Sequence, residues 1–411
     1  MNFKKLTITK WQQFEKVEIV FHNKLTVLTG ANGSGKTTIL NLLAKHFGWQ
    51  TPSLATPKKD KLKRVWQWIT GLFSEKQESI SDVIGEIEYS NGEKAALKIA
   101  PSNTAQYNID IQNQQNVDCF YIPSHRSVFR YQQLTQIPTQ GAIDKRQAFQ
   151  KVSNSNRNRY FGGGDQQSSS FYMKETLISW NIFGRGNEEM EPNEVLLDYY
   201  RGFEEVLKIL LPKELGFRRF SIRNFEVVLE CDSGNFIIDA VSGGVSALID
   251  IAWQIYMYST DKTQDFTVLV DEIENHLHPT MQRRILPDLA RAFPNVKFIV
   301  STHNPLIVGS VEDSSVYVLR FNENNKVVSQ YLDFINKAKT ASEVLDEVLG
   351  VSFTMPIWVE DRLKNIIDKY AKVEIKEETL SNMRKELSSI GLERLVPRAI
   401  TSIINAKNDQ D

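Results

Sequence analysis

The feature that most constrains this chain is a glycine-rich segment, GANGSGKT, that directly follows the apolar run Leu25–Thr29. It matches the pattern G-x-x-x-x-G-K-[ST], in which glycines let consecutive backbone N–H groups point at phosphate oxygens. We expect Lys36 to reach the β- and γ-phosphates and Thr37 to offer its hydroxyl to Mg²⁺. The apolar run at 38–43 predicts a helix whose positive N-terminal end faces the nucleotide. The residues predicted to bind ATP in this segment are Gly30, Ala31, Asn32, Gly33, Ser34, Gly35, Lys36, Thr37 and Thr38.

Composition indicates a globular protein without a global charge signal. The length of 411 residues predicts two or three domains, and 41% hydrophobic residues are enough for their cores. Lys and Arg number 49 against 50 Asp and Glu, so the net charge of −1 gives no overall attraction to nucleic acid or membrane. Cys119 and Cys231 are far apart, as expected for free thiols in a reducing compartment.

No apolar run reaches the ~20 residues of a membrane span, and the N-terminus lacks the apolar region of a signal peptide. We therefore expect a cytoplasmic protein that makes no membrane contact. Any contact with nucleic acid would have to be local.

Two further apolar runs end in residues that could complete a catalytic site. Residues 266–270 predict a buried parallel strand, which Asp271 and Glu272 follow. Ligands bind α/β sheets at the carboxyl ends of such strands, so we expect Asp271 to hold the Mg²⁺ shell and Glu272 to polarise the attacking water. Residues 298–302 predict a second strand, and His303 after it suits a γ-phosphate sensor. The predicted catalytic residues are Lys36, Glu272 and His303, and the predicted metal ligands are Thr37 and Asp271.

The chain also shows how its elements are organised. Alternating apolar and polar residues predict antiparallel strands at 3–21 and again at 83–99, and a helix is predicted around 65–73. A polar, glycine-rich stretch at 153–170 predicts some flexibility. An apolar stripe predicts a helix over 194–211. We divide the chain into a first ATPase lobe (1–140), a partly flexible helical insert (141–218), a second ATPase lobe (219–335) and a helical tail (336–411).

The sequence VSGGV lies between the phosphate loop and the two acids and opens an apolar helix predicted over 247–258. A serine and two glycines at a helix start form an anion-binding N-terminus, with Ser242 as the expected capping residue. By itself this is a weak signal, and it gains meaning only from its place among the other motifs.

Taken in order, these motifs resemble those of the ABC-type ATPases, and more narrowly the SMC, RecF and OLD-like branch. The resemblance covers most of residues 1–320 and rests on the N-terminal strands, GANGSGKT, VSGGV, VLVDEIENHLHP and STHNP. It implies an α/β fold, a P-loop head with a mixed central sheet flanked by helices and an antiparallel β-lobe. It also implies a homodimer or higher homo-oligomer that holds each ATP between two protomers. One protomer would supply the phosphate loop and the other Ser242, Gly243 and Gly244.

Two positions depart from the family pattern. The segment VSGGV takes the place of the signature motif of the family. Val245 stands where that motif usually has glutamine or another polar residue. No glutamine directly follows the strand predicted at 120–122, where the metal-contacting Q-loop of the family lies. Gln132 and Gln133 are the candidates for that role.

The segment ENHLHP is typical of compact ATPases in bacterial anti-phage systems, and the chain is similar in this respect to Septu- and retron-associated ATPases. In such systems the ATPase commonly acts with a separate nuclease. The resemblance therefore implies an ATP-hydrolysing protein that controls a partner effector, such as a nuclease.

Three other functions share parts of the pattern. A DNA-repair head of the RecF type would bind DNA directly, and the locally basic stretch at 126–159 suits nucleic acid or a solvated face equally. An OLD-like nuclease would need a TOPRIM domain, yet no glycine follows Glu360 and the acids Asp409 and Asp411 are the last in the sequence. A helix over 360–370 fits that region better. The N-terminal strand pair and the degenerate signature disfavour a transporter subunit.

Overall fold

The computed structural model describes residues 1–59, 66–69, 83–99, 104–137, 144–164, 167–259, 265–333, 337, 341–344, 357–371, 377–389, 392–393, 396–397 and 399–400. The chain forms two compact units, Met1–Val344 and Leu345–Asp411. Among the described residues, no helix combines the length and apolar character needed to cross a bilayer.

The first unit contains a long series of strands interrupted by helices. Its strands are β1 (Phe3–Ile8), β2 (Phe14–Val20), β3 (Leu25–Thr29), β4 (Ser53–Leu54), β5 (Thr56–Lys59), β6 (Trp66–Ile69), β7 (Val83–Tyr89), β8 (Lys94–Ile99), β9 (Gln106–Tyr107), β10 (Ile109–Gln112), β11 (Cys119–Ile122), β12 (Phe217–Arg223), β13 (Glu226–Cys231), β14 (Gly234–Ile237), β15 (Phe266–Val270), β16 (Val296–Ser301), β17 (Ser315–Phe321) and β18 (Val327–Leu332). Its helices are α1 (Lys36–Ala44), α2 (Lys145–Tyr160), α3 (Ser169–Arg185), α4 (Glu194–Leu210), α5 (Gly243–Tyr258), α6 (Pro279–Gln282), α7 (Ile285–Ala292), α8 (Pro305–Val308) and α9 (Ala341–Glu343).

An eleven-stranded sheet organises this unit, in the order β10-β8-β7-β1-β2-β18-β17-β3-β16-β15-β11. The strands β11, β15, β16, β3 and β17 are parallel to their neighbours in this run. The strands β2, β1, β7, β8 and β10 pair antiparallel and form the lobe at the other end. The predicted α/β fold, with a mixed central sheet and an antiparallel β-lobe, is therefore confirmed.

Burial explains why the two halves of the sheet read differently in the sequence. Every residue of β3, β11 and β15 is buried. Parallel strands covered on both faces need such continuous apolar runs. In β2 buried and more accessible residues alternate instead, as expected for a strand with one face towards solvent.

The smaller sheets bring one correction. The helix predicted around 65–73 is wrong where the structure describes it, because Trp66–Ile69 forms β6 and pairs antiparallel with β5. The sequence Trp-Gln-Trp has the two-residue period of a strand, and this short run was read with the wrong period. The strands β12, β13 and β14 form a separate three-stranded sheet just before the VSGGV segment.

Three long helices occupy the region between the two strand-rich parts. The predicted helix at 194–211 is confirmed as α4, whose start is capped by the side chain of Asn193. Residues 153–160 of the polar stretch belong to α2, which packs against α5. The division of the chain into four parts stays a prediction.

The second unit is described in part and is helical there. It contains α10 (Ile357–Ala371) and α11 (Glu377–Ser389), which pack together. Their shared apolar residues include Leu363, Ile366, Met383 and Leu387. Glu360 lies in α10, so the helix expected there is present, while Asp409 and Asp411 lie outside the described residues.

Candidate nucleotide-binding site

The carboxyl ends of four adjacent parallel strands meet at one edge of the central sheet. The register pairs Val270 at the end of β15 with Val300 in β16, and Ser301 with Leu28 in β3. Ile122 at the end of β11 pairs with Val270 on the other side. The segments that follow these strands therefore emerge together, at the edge where ligands bind open α/β sheets.

The phosphate loop connects β3 to α1 in the predicted strand–loop–helix order. Its backbone relies on glycine, since φ is +141° at Gly30, +81° at Gly33 and +91° at Gly35. These angles are costly for residues with a side chain. Gly35 is the N-cap of α1, so the helix begins at Lys36 and directs its N-terminal end into the loop.

We predict that Gly35→Ala destabilises the protein more than Gly33→Ala. Both changes put a side chain at positive φ, which costs about 1–2 kcal/mol. A β-carbon at Gly35 would also lie 2.3 Å from Phe14 Cζ, whereas one at Gly33 has no atom within 4 Å. We expect the overlap to add roughly 1–3 kcal/mol. Urea unfolding of both variants measures the difference, and equal losses of stability would show that Phe14 yields freely.

Lys36 is buried beneath the loop. Its ammonium donates to the carbonyl oxygens of Gly30 at 2.8 Å and Ala31 at 3.1 Å. Burial lowers the pKa of Lys36, and the negative charges of the acids after β15 oppose that shift. The ammonium is thus already placed within the loop and needs only to exchange carbonyl oxygens for phosphate oxygens.

Thr37 and Asp271 meet, as their predicted shared role requires. The Thr37 hydroxyl donates to both carboxylate oxygens of Asp271, at 3.1 and 2.9 Å, and Ser301 Oγ donates to Oδ1 at 2.5 Å. Burial raises the pKa of Asp271, while the two hydroxyl groups lower it. A hydroxyl and a carboxylate side by side are hard oxygen ligands, so this pair fits Mg²⁺ held partly by phosphates and water.

Glu272 sits in a strained turn directly after Asp271. Its φ is +44°, an uncommon conformation for a residue with a side chain, and its backbone N–H donates to Ser301 Oγ at 2.8 Å. Its Oε2 accepts a hydrogen bond from Asn275 Nδ2 at 2.8 Å. Asn275 belongs to the quoted ENHLHP motif, but the sequence analysis gave it no role.

Arg126 holds the backbone of this turn from the neighbouring strand end. Its guanidinium donates to the carbonyl oxygens of Asn275 at 3.0 Å, Glu272 at 3.0 Å and Asp271 at 3.4 Å. Burial lowers the pKa of Arg126, and the buried carboxylate of Asp250 on α5 most strongly opposes the shift. The sequence analysis placed Arg126 only in the basic stretch at 126–159. Its position just after β11 was the signal that could have placed it at this edge of the sheet.

His303 follows β16 and lies against Glu274. The Glu274 Oε1 atom accepts from the His303 backbone N–H at 2.7 Å and lies 3.0 Å from its Nδ1. The side chain of His303 is 47% exposed, whereas that of Glu274 is 4% exposed. Glu274 belongs to the quoted ENHLHP motif but received no role from the sequence.

The VSGGV segment begins α5 as predicted, with Ser242 at the N-cap position. The Ser242 hydroxyl makes no capping hydrogen bond, contrary to the capping role expected of it. Ser242 and Gly243 are exposed, while a β-carbon at Gly244 would lie 3.2 Å from the carbonyl oxygen of His276. Val245 is buried, which explains why an apolar residue stands at this family position.

The candidates for nucleic-acid contact and for the Q-loop have other contacts. In the basic stretch, Lys145 and Arg126 are buried, and Lys151 forms an ion pair with Glu175 at 2.5 Å. These cations are therefore less available to phosphate than the sequence indicated.

The side chain of Gln132, a candidate for the Q-loop, accepts from the Ser168 backbone N–H at 2.8 Å. The Q-loop assignment stays a prediction.

The sheet order and the converging motifs define a P-loop ATPase. Consistent with this class, residues 5–210 match the family model described as AAA domain. The chain therefore belongs to the AAA-domain family. Residues 182–309 also match a second model, described as AAA domain, putative AbiEii toxin, Type IV TA system.

Curated relatives and solved structures extend the comparison. The chain is 30% identical over 158 residues to the Septu protein PtuA of Bacillus mycoides (strain KBAB4), which is 37% of this chain and 22% of that protein. It is 26% identical over 196 residues to the Retron Ec83 probable ATPase of Escherichia coli, which is 45% of this chain and 34% of that protein. The chain thus spans well under half the length of these relatives. The SMC head domain from Thermotoga maritima aligns at a TM-score of 0.41 and 14% identity, over 81% of this chain and all of that one.

Proposed function

We propose that this chain hydrolyses ATP at the carboxyl edge of its central sheet. The observation that carries the proposal is that Thr37 and Asp271, separated by 234 positions, are hydrogen-bonded beside the phosphate loop. Lys36 would neutralise charge on the β- and γ-phosphates, Glu272 would orient the attacking water, and His303 would contact the γ-phosphate.

Thr37 and Asp271 are the residues that would hold Mg²⁺. When bound, the ion neutralises phosphate charge and offsets the buried charge of Asp271. Ser301 fixes the Asp271 carboxylate through a hydrogen bond of 2.5 Å and also binds the Glu272 backbone. One serine hydroxyl therefore sets the position of both acids relative to the loop.

We further propose that the active form is a dimer in which Ser242, Gly243 and Gly244 of each protomer complete the site of the other. Ser242 and Gly243 are exposed at the start of α5, where free backbone N–H groups suit a phosphate. Gly244 packs on the His276 carbonyl, in the turn that also carries Glu272 and Asn275. The VSGGV segment of each protomer would thus be in direct contact with the catalytic turn of its own chain.

Replacing Ser242 with arginine should leave ATP binding by the monomer within a few-fold and abolish the ATP-dependent dimer, because a bulky cation enters the closing interface. Hydrolysis should then fall with dimerisation. Light scattering with and without ATP, together with a phosphate-release assay, measures both effects. Asn324→Arg, at an exposed position in the turn between β17 and β18, is the matched control and should still dimerise. Wild-type hydrolysis by monomeric Ser242→Arg contradicts the shared site.

A mixture of Lys36→Ala and Ser242→Arg chains sharpens the same test. In the mixed dimer both lesions fall on one composite site, and the other site is intact. Recovery of hydrolysis that neither variant shows alone would support the shared arrangement directly.

We also propose that ATP binding or hydrolysis controls a separate effector, with a nuclease as the expected kind of partner in anti-phage defence. This rests on the similarity to the Septu protein PtuA and the Retron Ec83 probable ATPase, together with the ENHLHP motif. Co-expression of this chain with the proteins encoded beside it, followed by affinity capture, tests the proposal. A captured nuclease whose activity changes on adding ATP supports it.

A further inference from the structure

The carboxylate of Glu274 lies at the catalytic edge, and the proposed nucleotide and metal contacts give it no role. It lies in the turn after β15, three residues beyond Asp271, and is nearly inaccessible to solvent. Its Oε1 accepts the backbone N–H of His303 and faces the Nδ1 atom of the same residue. Both contacts are made to the proposed phosphate sensor.

The second oxygen of Glu274 strengthens this observation. Oε2 is buried and has no hydrogen-bond partner among the described residues. A buried carboxylate is costly unless its charge is paired or hydrogen-bonded. The charges of Arg126 and Lys36 lie near enough to balance part of the Glu274 charge. The direct polar contacts of its carboxylate within the described part of the chain are those with His303, so the imidazole ring lies where this acid can orient it.

The geometry of the pair also indicates which imidazole nitrogen is available to a phosphate. Glu274 Oε1 lies 3.0 Å from Nδ1, and because a carboxylate only accepts, a hydrogen bond across this distance requires the proton to be on Nδ1. Nε2 then lies on the far side of a ring that is half exposed. A phosphate oxygen also only accepts, so Nε2 needs a second proton, taken from solvent, to contact it.

We propose that Glu274 is a positioning residue for ATP hydrolysis, which orients His303 through Nδ1–H so that Nε2 donates to the γ-phosphate. This inference rests on the proposed function. The backbone contact adds to the effect, since it holds the main chain of His303 on the same oxygen. Hydrogen bonds therefore link the end of β16 to the turn after β15.

Two replacements separate the features of Glu274. Glu274→Met keeps the length of the side chain but removes the acceptor, and Glu274→Gln keeps an acceptor oxygen but removes the charge. We expect kcat to fall by roughly 10- to 100-fold in Glu274→Met, with a smaller loss in Glu274→Gln and an ATP dissociation constant within about three-fold of wild type. Asp288→Asn removes another buried acid, paired with Arg284 and Arg291 on α7, and should leave kcat unchanged.

A double-mutant cycle tests whether Glu274 acts through His303. In a His303→Ala background, Glu274→Gln and Glu274→Met should change kcat by less than about two-fold. Losses as large as in the wild-type background would overturn the inference, as would an unchanged kcat in both single variants. If Glu274→Met does not fold, Glu274→Gln alone completes the cycle.

The imidazole nitrogens supply a readout that does not depend on hydrolysis. In ¹⁵N-histidine-labelled protein without nucleotide, the His303 signals are identified by their loss in His303→Ala. We expect Nδ1 to be protonated in the wild type and the two nitrogen shifts to change in Glu274→Met. Unchanged shifts would overturn the inference even if the protein is an ATPase. A wild type that shows the shifts but does not hydrolyse ATP would instead contradict the proposed function.

Discussion

Replacing Glu272 with glutamine should slow ATP hydrolysis by roughly 100-fold or more while preserving ATP binding. Glutamine has the shape of glutamate but cannot orient and polarise water as an anion does. The strained backbone at Glu272 is held by Ser301 and Arg126 through main-chain atoms, so the turn should keep its geometry. The side-chain contact with Asn275 can also persist, because an amide oxygen still accepts.

The variant should therefore collect in the ATP-bound state. Single-turnover phosphate release and size-exclusion chromatography with ATP measure the two consequences together. We expect slow release and a stable ATP-dependent dimer. Equal turnover by Glu272→Gln and wild type would remove Glu272 from its proposed role, whatever happens to the dimer.

Replacing Lys36 with alanine should weaken ATP binding on the order of 100-fold or more. Each charge-assisted hydrogen bond lost is worth about 1.5–3 kcal/mol, and about 1.4 kcal/mol corresponds to a factor of ten in affinity. The ammonium already donates to the Gly30 and Ala31 carbonyl oxygens, so the Lys36 side chain loses little conformational entropy when ATP binds. Loss of the ammonium leaves the phosphate charge unbalanced within the loop.

Lys45 offers a matched control for this change. It lies in the 3₁₀ turn after α1, is also buried, and has its pKa lowered by burial. Its ammonium contacts Gln50 Oε1 at 3.4 Å. Calorimetric titration with ATP should show near-wild-type affinity for Lys45→Ala, and unchanged affinity in Lys36→Ala would contradict the assignment of the loop.

The parts of the site that the sequence predicted are those in which local pattern and chemistry coincide. The glycines of GANGSGKT indicate a loop with positive φ angles. An apolar strand followed by Asp271 and Glu272 indicates that these acids lie at the edge of a parallel sheet. The fold class followed because buried parallel strands and half-exposed antiparallel strands differ in their apolar pattern. Each of these signals lies within a short stretch of chain.

The contacts that support the catalytic residues could not be predicted in this way. Arg126 meets Glu272 across 146 positions, and Glu274 meets His303 across 29. Such contacts depend on which strands are neighbours, and a single sequence does not encode that order in a local pattern. The helix predicted around 65–73 was wrong for a different reason. A short apolar run such as that of β6 has no clear period.

The order of strands in the sheet also affects how this protein is made. The strand β3, which leads into the phosphate loop, is hydrogen-bonded to β16 on one side and β17 on the other. Both neighbours are synthesised long after it, and at roughly 5–20 residues per second the ribosome reaches β16 roughly 13 to 55 seconds later. During this interval an apolar strand with two open edges must be kept from pairing with other chains. Production of this protein at high level should therefore depend on chaperones that bind nascent chains. In the finished fold both edges of β3 are paired and this need ends.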